Sequence, residues 1–202
     1  MRAKAPFSIS KDNIAQIYTL EALIAATIII GVLIFSIQAT SLTPLTSSTA
    51  NAHVETHLYT IGQDILNSLD YSQNGEDSDL KKDILNWDGD SYSWNSVTYA
   101  HTNKTLVNSS TADMLKTVIV PRGIAHNVEF TWIDNNGNTI TLPYIYNGEP
   151  SNNAVVVSKK LLLSNSDMQT PSQFATTTGI GDMDTNTDFY SLIDVRLTLW
   201  RM

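Results

Sequence analysis

The chain contains no cysteine. That removes disulfides, thiolate nucleophiles, Cys-ligated zinc and iron–sulfur clusters, so any folded part must be held by packing alone. Basic residues are scarce as well: 12 Lys and Arg stand against 20 Asp and Glu, for a formal charge of -8. With no Lys/Arg stripe there is nothing to neutralise a phosphate backbone, and no nucleic-acid partner is expected. Gly-x-Ser-x-Gly, a phosphate loop and a dinucleotide fingerprint are all missing, and Gly179-Ile-Gly181 reads only as loop. Catalysis is not expected and no cofactor is implied. The sequence shows no internal repeat.

What is present is one long apolar run. From Leu20 to Ile37 the chain is almost wholly hydrophobic, and it carries a carboxylate, Glu21, near its start. About 18 apolar residues suffice to span a bilayer as a helix. Apolar side chains fall on every helical face here, which a surface helix of a soluble domain does not tolerate. Arg2, Lys4 and Lys11 precede the run, whereas nearly all the acids follow it. This asymmetry predicts a cytoplasmic N-terminus and an external position for residues beyond about 40.

The remaining patterning predicts an α+β protein: a long N-terminal helix followed by a small antiparallel β-sheet head. Residues 1–15 read as a short basic leader, 16–70 as the helix with its first half in the membrane, and 71–202 as an extracellular β-rich head. A secretory signal would be cut after the apolar run, but the better small residue, Ala15, lies before it and is followed by Gln16. Pro44 predicts a kink or brief unwinding near residues 40–44. Beyond it, Val54, Leu58, Ile61, Ile65, Leu66 and Leu69 recur at spacings of three and four. A helix from Ile17 to Leu69 would be roughly 80 Å long. A short helix is expected from Asp79 to about Trp87. A poorly patterned, mobile region then reaches Lys116, with one strand at Ser96–His101. Alternation predicts a hairpin of His126–Ile133 and Thr139–Tyr146 around the turn at Asp134–Asn138. Further strands are expected at Ala154–Leu163 and Tyr190–Trp200, separated by a long polar loop from Ser164 to Asp188.

The segment Ala15-Gln-Ile-Tyr-Thr-Leu-Glu-Ala-Leu-Ile-Ala resembles the N-terminus of type IV pilins, the archaeal and haloarchaeal pilin-like proteins in particular. The ending Asp-Val-Arg-Leu-Thr-Leu-Trp-Arg is similar to theirs too. In that family a basic leader with a class III signal is cut just before the apolar helix, which here places the processing site between Ala15 and Gln16. Cutting there makes Glu21 the sixth residue of the mature chain, whereas the commonest bacterial pattern has Glu fifth; Ala also replaces the more usual Gly before the cut. The resemblance implies a prepilin peptidase, an assembly ATPase, a membrane platform protein and other pilin subunits as partners. It implies a single-pass membrane precursor and then a surface filament, with the large head favouring a minor pilin. The competing expectation is a monomeric, signal-anchored surface or adhesion protein; an anchored hydrolase has no motif behind it.

Individual residues sharpen these expectations. A carboxylate facing hydrocarbon costs several kcal/mol. The resemblance pairs Glu21 with the freed amine of Gln16 on a neighbouring subunit; a hydrated interfacial Glu is the simpler alternative. Ala22, Ala25, Ala26 and Gly31 would let helices approach closely during assembly. Asn103-Lys-Thr105 and Asn108-Ser-Ser110 are N-glycosylation sequons, a triplet that chance also produces in Asn/Thr-rich sequence. Asp182, Asp184, Asn186 and Asp188 fall at the alternate positions of a calcium loop, though Thr187 and Ile193 stand where Gly and Glu would be; a plain polar loop is the alternative. His53 and His57 lie one helical turn apart without the Glu placement of a metalloprotease, so a solvated helix face is expected. Trp87, Trp94, Tyr99, Trp132, Tyr144, Tyr146 and Trp200 would form either core or an adhesion patch.

Overall fold

In the computed structural model the described residues are 10–73 and 75–201, with the side chains of 10–16 and 37–50 left aside. Contacts divide the chain into two compact units, Met1–Asn51 and Ala52–Met202. The protein is α+β.

Helix α1, Ser10–Leu69, contributes to both units, and its helical assignment runs through Pro44 without interruption. The unwinding expected at the proline is absent, although the ring still removes one hydrogen bond of the ladder. The 20 residues Ile17–Ser36 form the one helix segment among the described residues long and apolar enough to cross a membrane, and none of it is buried within the chain. Residues 52–69, the second half of the helix expected over 16–70, pack as part of the head.

In the head unit, Leu58, Ile61, Ile65, Leu66 and Leu69 are buried in one cluster with the sheet residues. Their three-and-four spacing puts them on a single stripe of α1, the face a helix must bury. Helix α2 (Asp79–Leu85) starts at Ser78, whose hydroxyl accepts the Lys81 amide at 3.3 Å. It buries Leu80 and Ile84, and ends before Trp87. Strands β1 (Ser93–Trp94), β2 (Tyr99–His101) and β3 (Lys104–Thr105) make a small antiparallel sheet. Helix α3 (Ser110–Val118) follows. The stretch up to Lys116, expected to be mobile and nearly patternless, is therefore mostly regular structure. A short polar sequence becomes helical here because Ala112 and Leu115 find a core to enter.

The main sheet contains β4 (Ile124–Ile133), β5 (Thr139–Ile145), β6 (Val155–Ser164) and β7 (Phe189–Arg201) in the order β5-β4-β7-β6, every neighbour antiparallel. The hairpin turn forms where expected: Asp134 accepts the Asn136 and Asn138 amides at 2.9 and 2.7 Å, and Gly137 takes a positive φ of 82°. On β7, Ile193, Val195, Leu197 and Leu199 are fully buried on the core side. Register places Val195 opposite Phe130 and Leu197 opposite Val128, so both central strands present the same face to the core. The stretch between β6 and β7, expected to be all loop, contains helix α4, Pro171–Thr178. Proline at its start and Gly179 at φ 78° just past its end are helix punctuation that the polar composition masked.

Candidate functional site

The apolar segment of α1 is the first candidate site. Its large side chains are all open, from Ile24 at 53% to Phe35 at 73% exposed. Glu21 stands among them. Helical spacing puts Ile17, Ile24, Ala25 and Ile28 on its face, and they line a shallow recess with it and Leu20. Among the described residues nothing pairs with the Glu21 carboxylate. Ala22, Ala25 and Ala26 are likewise exposed, and a Cβ added at Gly31 would meet nothing within 4 Å. The segment thus combines an uncovered apolar surface, small residues and one acid. Gln16 and Ala15 fall in α1, but their side chains lie outside the described residues, as do residues 1–9 of the leader expected over 1–15.

The other expected positions scatter over the head unit. The four oxygen-bearing residues of the calcium-like stretch do not converge. Asp182 accepts the Asp184 amide at 2.9 Å, Asp184 accepts the Asn186 amide at 3.1 Å, and Asp188 turns away to accept the Ser166 amide at 3.0 Å. Asp182 and Asp184 each close a local turn, whereas Asp188 ties to a segment 22 residues earlier. Hydrogen bonds from the Asn186 amide and the Thr187 hydroxyl hold the Asp184 carboxyl below the usual carboxylate range. Among the described residues there is no group of three or more His, Cys, Asp or Glu that could hold a metal. His53 and His57 are exposed on one face of α1 with no third ligand. Asn103 and Asn108 are both exposed.

Most of the aromatics are core. Trp87 meets Phe130 edge-on with centroids 5.1 Å apart, and Phe130 stacks on Tyr144 at 4.9 Å. Tyr99, Trp132 and Trp200 are buried too. Trp94 and Tyr146 border a cleft of about 610 Å³ whose lining also includes Ile124, His126 and Asn147. The polar groups there are already engaged: Asn147 accepts the Trp94 amide at 2.7 Å and donates to the His126 carbonyl at 2.7 Å. Lys116 sits 5.9 Å over the Trp94 ring.

His126 lies at the back of this cleft, 3% exposed, with Nε2 2.7 Å from the Tyr99 hydroxyl. Burial pushes its pKa down to about 4. Burial also raises the Tyr99 hydroxyl well above its ordinary value, so the phenol donates and the imidazole accepts as a neutral ring. The folded pKa lies below the ordinary 6.5, so this stabilisation is complete above pH 6.5 and lost as pH falls toward 4. The loss should reach about 3 kcal/mol. Urea titrations at steps between pH 7 and 4 should show it, and His126→Gln should flatten that part of the profile.

Two polar arrangements had no signal in the sequence. Asp83 of α2 accepts the first amides of α3, and Lys104 pairs with both Asp88 and Asp90. Both join residues distant in sequence, which no local pattern announces.

Taken together, the geometry defines an α+β protein with one uncovered, span-length N-terminal helix and a head built on a helix-packed antiparallel sheet. The chain belongs to DUF7288, a family of unknown function, which it matches over residues 14–199. No curated protein and no solved structure matches it.

Proposed function

We propose that this chain is a subunit of an archaeal type IV pilus-like surface filament, a minor pilin, made as a membrane-inserted precursor. The observation that carries the reading is the Ile17–Ser36 helix, open on every face, with Glu21 set into it. A surface of this kind is satisfied by lipid before assembly and by neighbouring helices afterwards, so one apolar solvent replaces another. Small residues then favour close packing, and a carboxylate is tolerable in a dry bundle only if it meets a cation. The mature amine of Gln16 on the adjacent subunit supplies one. In this reading a prepilin peptidase cuts between Ala15 and Gln16, and an ATPase with a platform protein extracts the helix.

Intact-mass spectrometry of the protein from its native host tests this directly. The expected mass lacks residues 1–15, and Ala15→Leu should restore them. Retention of residues 1–15 in the native protein would instead indicate a monomeric, signal-anchored surface protein. A separate measurement concerns Glu21. Glu21→Gln should insert into the membrane at the normal level, while the filament fraction sheared from cells falls sharply. Unchanged filament yield would remove Glu21 from assembly.

A further inference from the structure

The two sequons differ in a way that only the structure shows, and we infer that Asn103 is an N-glycan acceptor whereas Asn108 is not. The inference rests on the reading that the head unit lies outside the membrane. Asn103 is in the two-residue loop Thr102–Asn103 that joins β2 to β3, at the tip of the small sheet. Thr102 takes a left-handed φ of 37° in this turn, and Asn103 follows it at the tip, just before β3. Both Asn103 and Thr105 are exposed, and among the described residues neither side chain has a hydrogen-bond partner. Lys104 is turned toward the protein, where its ammonium reaches Asp88 at 2.8 Å and also pairs with Asp90. On the strand before the tip, His101 Nδ1 lies 2.7 Å from the Ser91 carbonyl oxygen. The two ties flank the loop, while the acceptor amide and the sequon hydroxyl are both left exposed.

The second sequon is built into a helix start. Asn108 has a left-handed φ of 54°. Ser109 is buried, its hydroxyl accepting the Ala112 amide at 3.1 Å, and the Ser110 amide donates to Asp83 at 3.1 Å. Presenting Asn108-Ser-Ser110 to a transferase requires breaking the cap of α3, and with it contacts to α2. Presenting Asn103-Lys-Thr105 breaks nothing in the core.

The step is a glycosyl transfer from a lipid-linked glycosyl phosphate. Nδ2 of Asn103 bonds to the anomeric carbon, the bond from that carbon to the phosphate oxygen breaks, and the lipid phosphate leaves with the electron pair. One Nδ2 proton passes to a base of the transferase, so no oxidant or reductant is needed.

The test uses the full chain expressed in its native host, with intact mass and glycopeptide mapping, alongside digestion of intact cells by an external protease. The wild-type mass should exceed that of the polypeptide by one glycan. Asn103→Gln and Thr105→Val should each lose the whole increment, while Thr105→Ser and Asn108→Gln keep it. Asn103 is exposed and unpartnered, so circular dichroism of Asn103→Gln should be unchanged. An unmodified Asn103 in a head that external protease digests overturns the acceptor and leaves the outside location standing. A head protected from protease with no glycan overturns both. A glycan found on Asn108 alone overturns the assignment.

Discussion

Asp83→Ala is expected to lower the stability of the head by about 3–5 kcal/mol, measured by urea denaturation at neutral pH. The Asp83 carboxylate is 3% exposed and holds the N-terminus of α3 from the side of α2. It accepts the Thr111 amide at 2.7 Å, the Ser110 amide at 3.1 Å and the Ser109 hydroxyl at 3.3 Å. Ser109 in turn accepts the Tyr144 hydroxyl at 2.7 Å, so the network reaches the aromatic core. Opposing effects meet at this group. Burial penalises the charged form and raises the carboxyl above its ordinary value, and hydrogen bonds from Thr111, Ser110 and Ser109 pull it back. A raised folded pKa means that this contribution is full below the ordinary 3.8 and declines as pH rises through the folded value. Removing the side chain is nevertheless worse than keeping it charged. Alanine leaves buried amides at a helix N-terminus with no acceptor, and each costs about 1–3 kcal/mol. Asp83→Asn separates charge from shape: its carbonyl can serve one amide, but its NH2 faces another donor. It should fall between wild type and alanine, with no titration at this site. A loss below about 1 kcal/mol for Asp83→Ala would mean that water replaces the carboxylate.

The Asp83 bridge also marks where sequence reading stops. Strands β4, β5 and β7 were legible largely from alternation and β6 from its Val and Leu runs, and the hairpin because Asp134 and Gly137 carry turn chemistry at fixed offsets. The apolar segment of α1 was legible from composition alone, and so was the oddity of Glu21 within it. Helix α3 was not, since Ser110-Thr-Ala-Asp-Met-Leu-Lys-Thr-Val118 has too few apolar residues to announce a stripe. Its partner is an acid 26 to 28 residues earlier, a separation at which local pattern is silent. The meeting of Tyr99 with His126 is of the same kind, at 27 residues. Spacing suggested a calcium loop at Asp182–Asp188. A plain polar loop fits the same spacing, because oxygens at alternate positions can equally well accept the amides of local turns, and spacing does not say which way each oxygen points.

Helix α1 approaches the sheet closely at Gly62, where a large packing effect is expected. A Cβ placed there would lie 2.6 Å from Cγ2 of Val157 on β6 and 3.3 Å from Cδ1 of Leu199 on β7. Both neighbours are buried, Val157 at 2% and Leu199 at 0% exposed, so neither side chain can swing out to solvent. Glycine inside a helix costs about 1 kcal/mol relative to alanine, and here it is what allows the helix to sit at this distance. Gly62→Ala regains that propensity but forces a methyl into β6, and overpacking of this kind costs about 1–3 kcal/mol. The net should be a modest loss. Gly62→Leu gains the same propensity and has no space at all, so a loss of about 3 kcal/mol or more is expected, with the melting temperature of the head falling accordingly. Val157→Ala removes the methyl that collides. Alone it should destabilise through the cavity it opens, but combined with Gly62→Ala it should cost less than the sum of the single changes. A double-mutant cycle on the head reads this coupling. Strict additivity would show that α1 has shifted along the sheet rather than pressing on Val157. In that case the register between helix and head is softer than the closeness of Gly62 to Val157 implies.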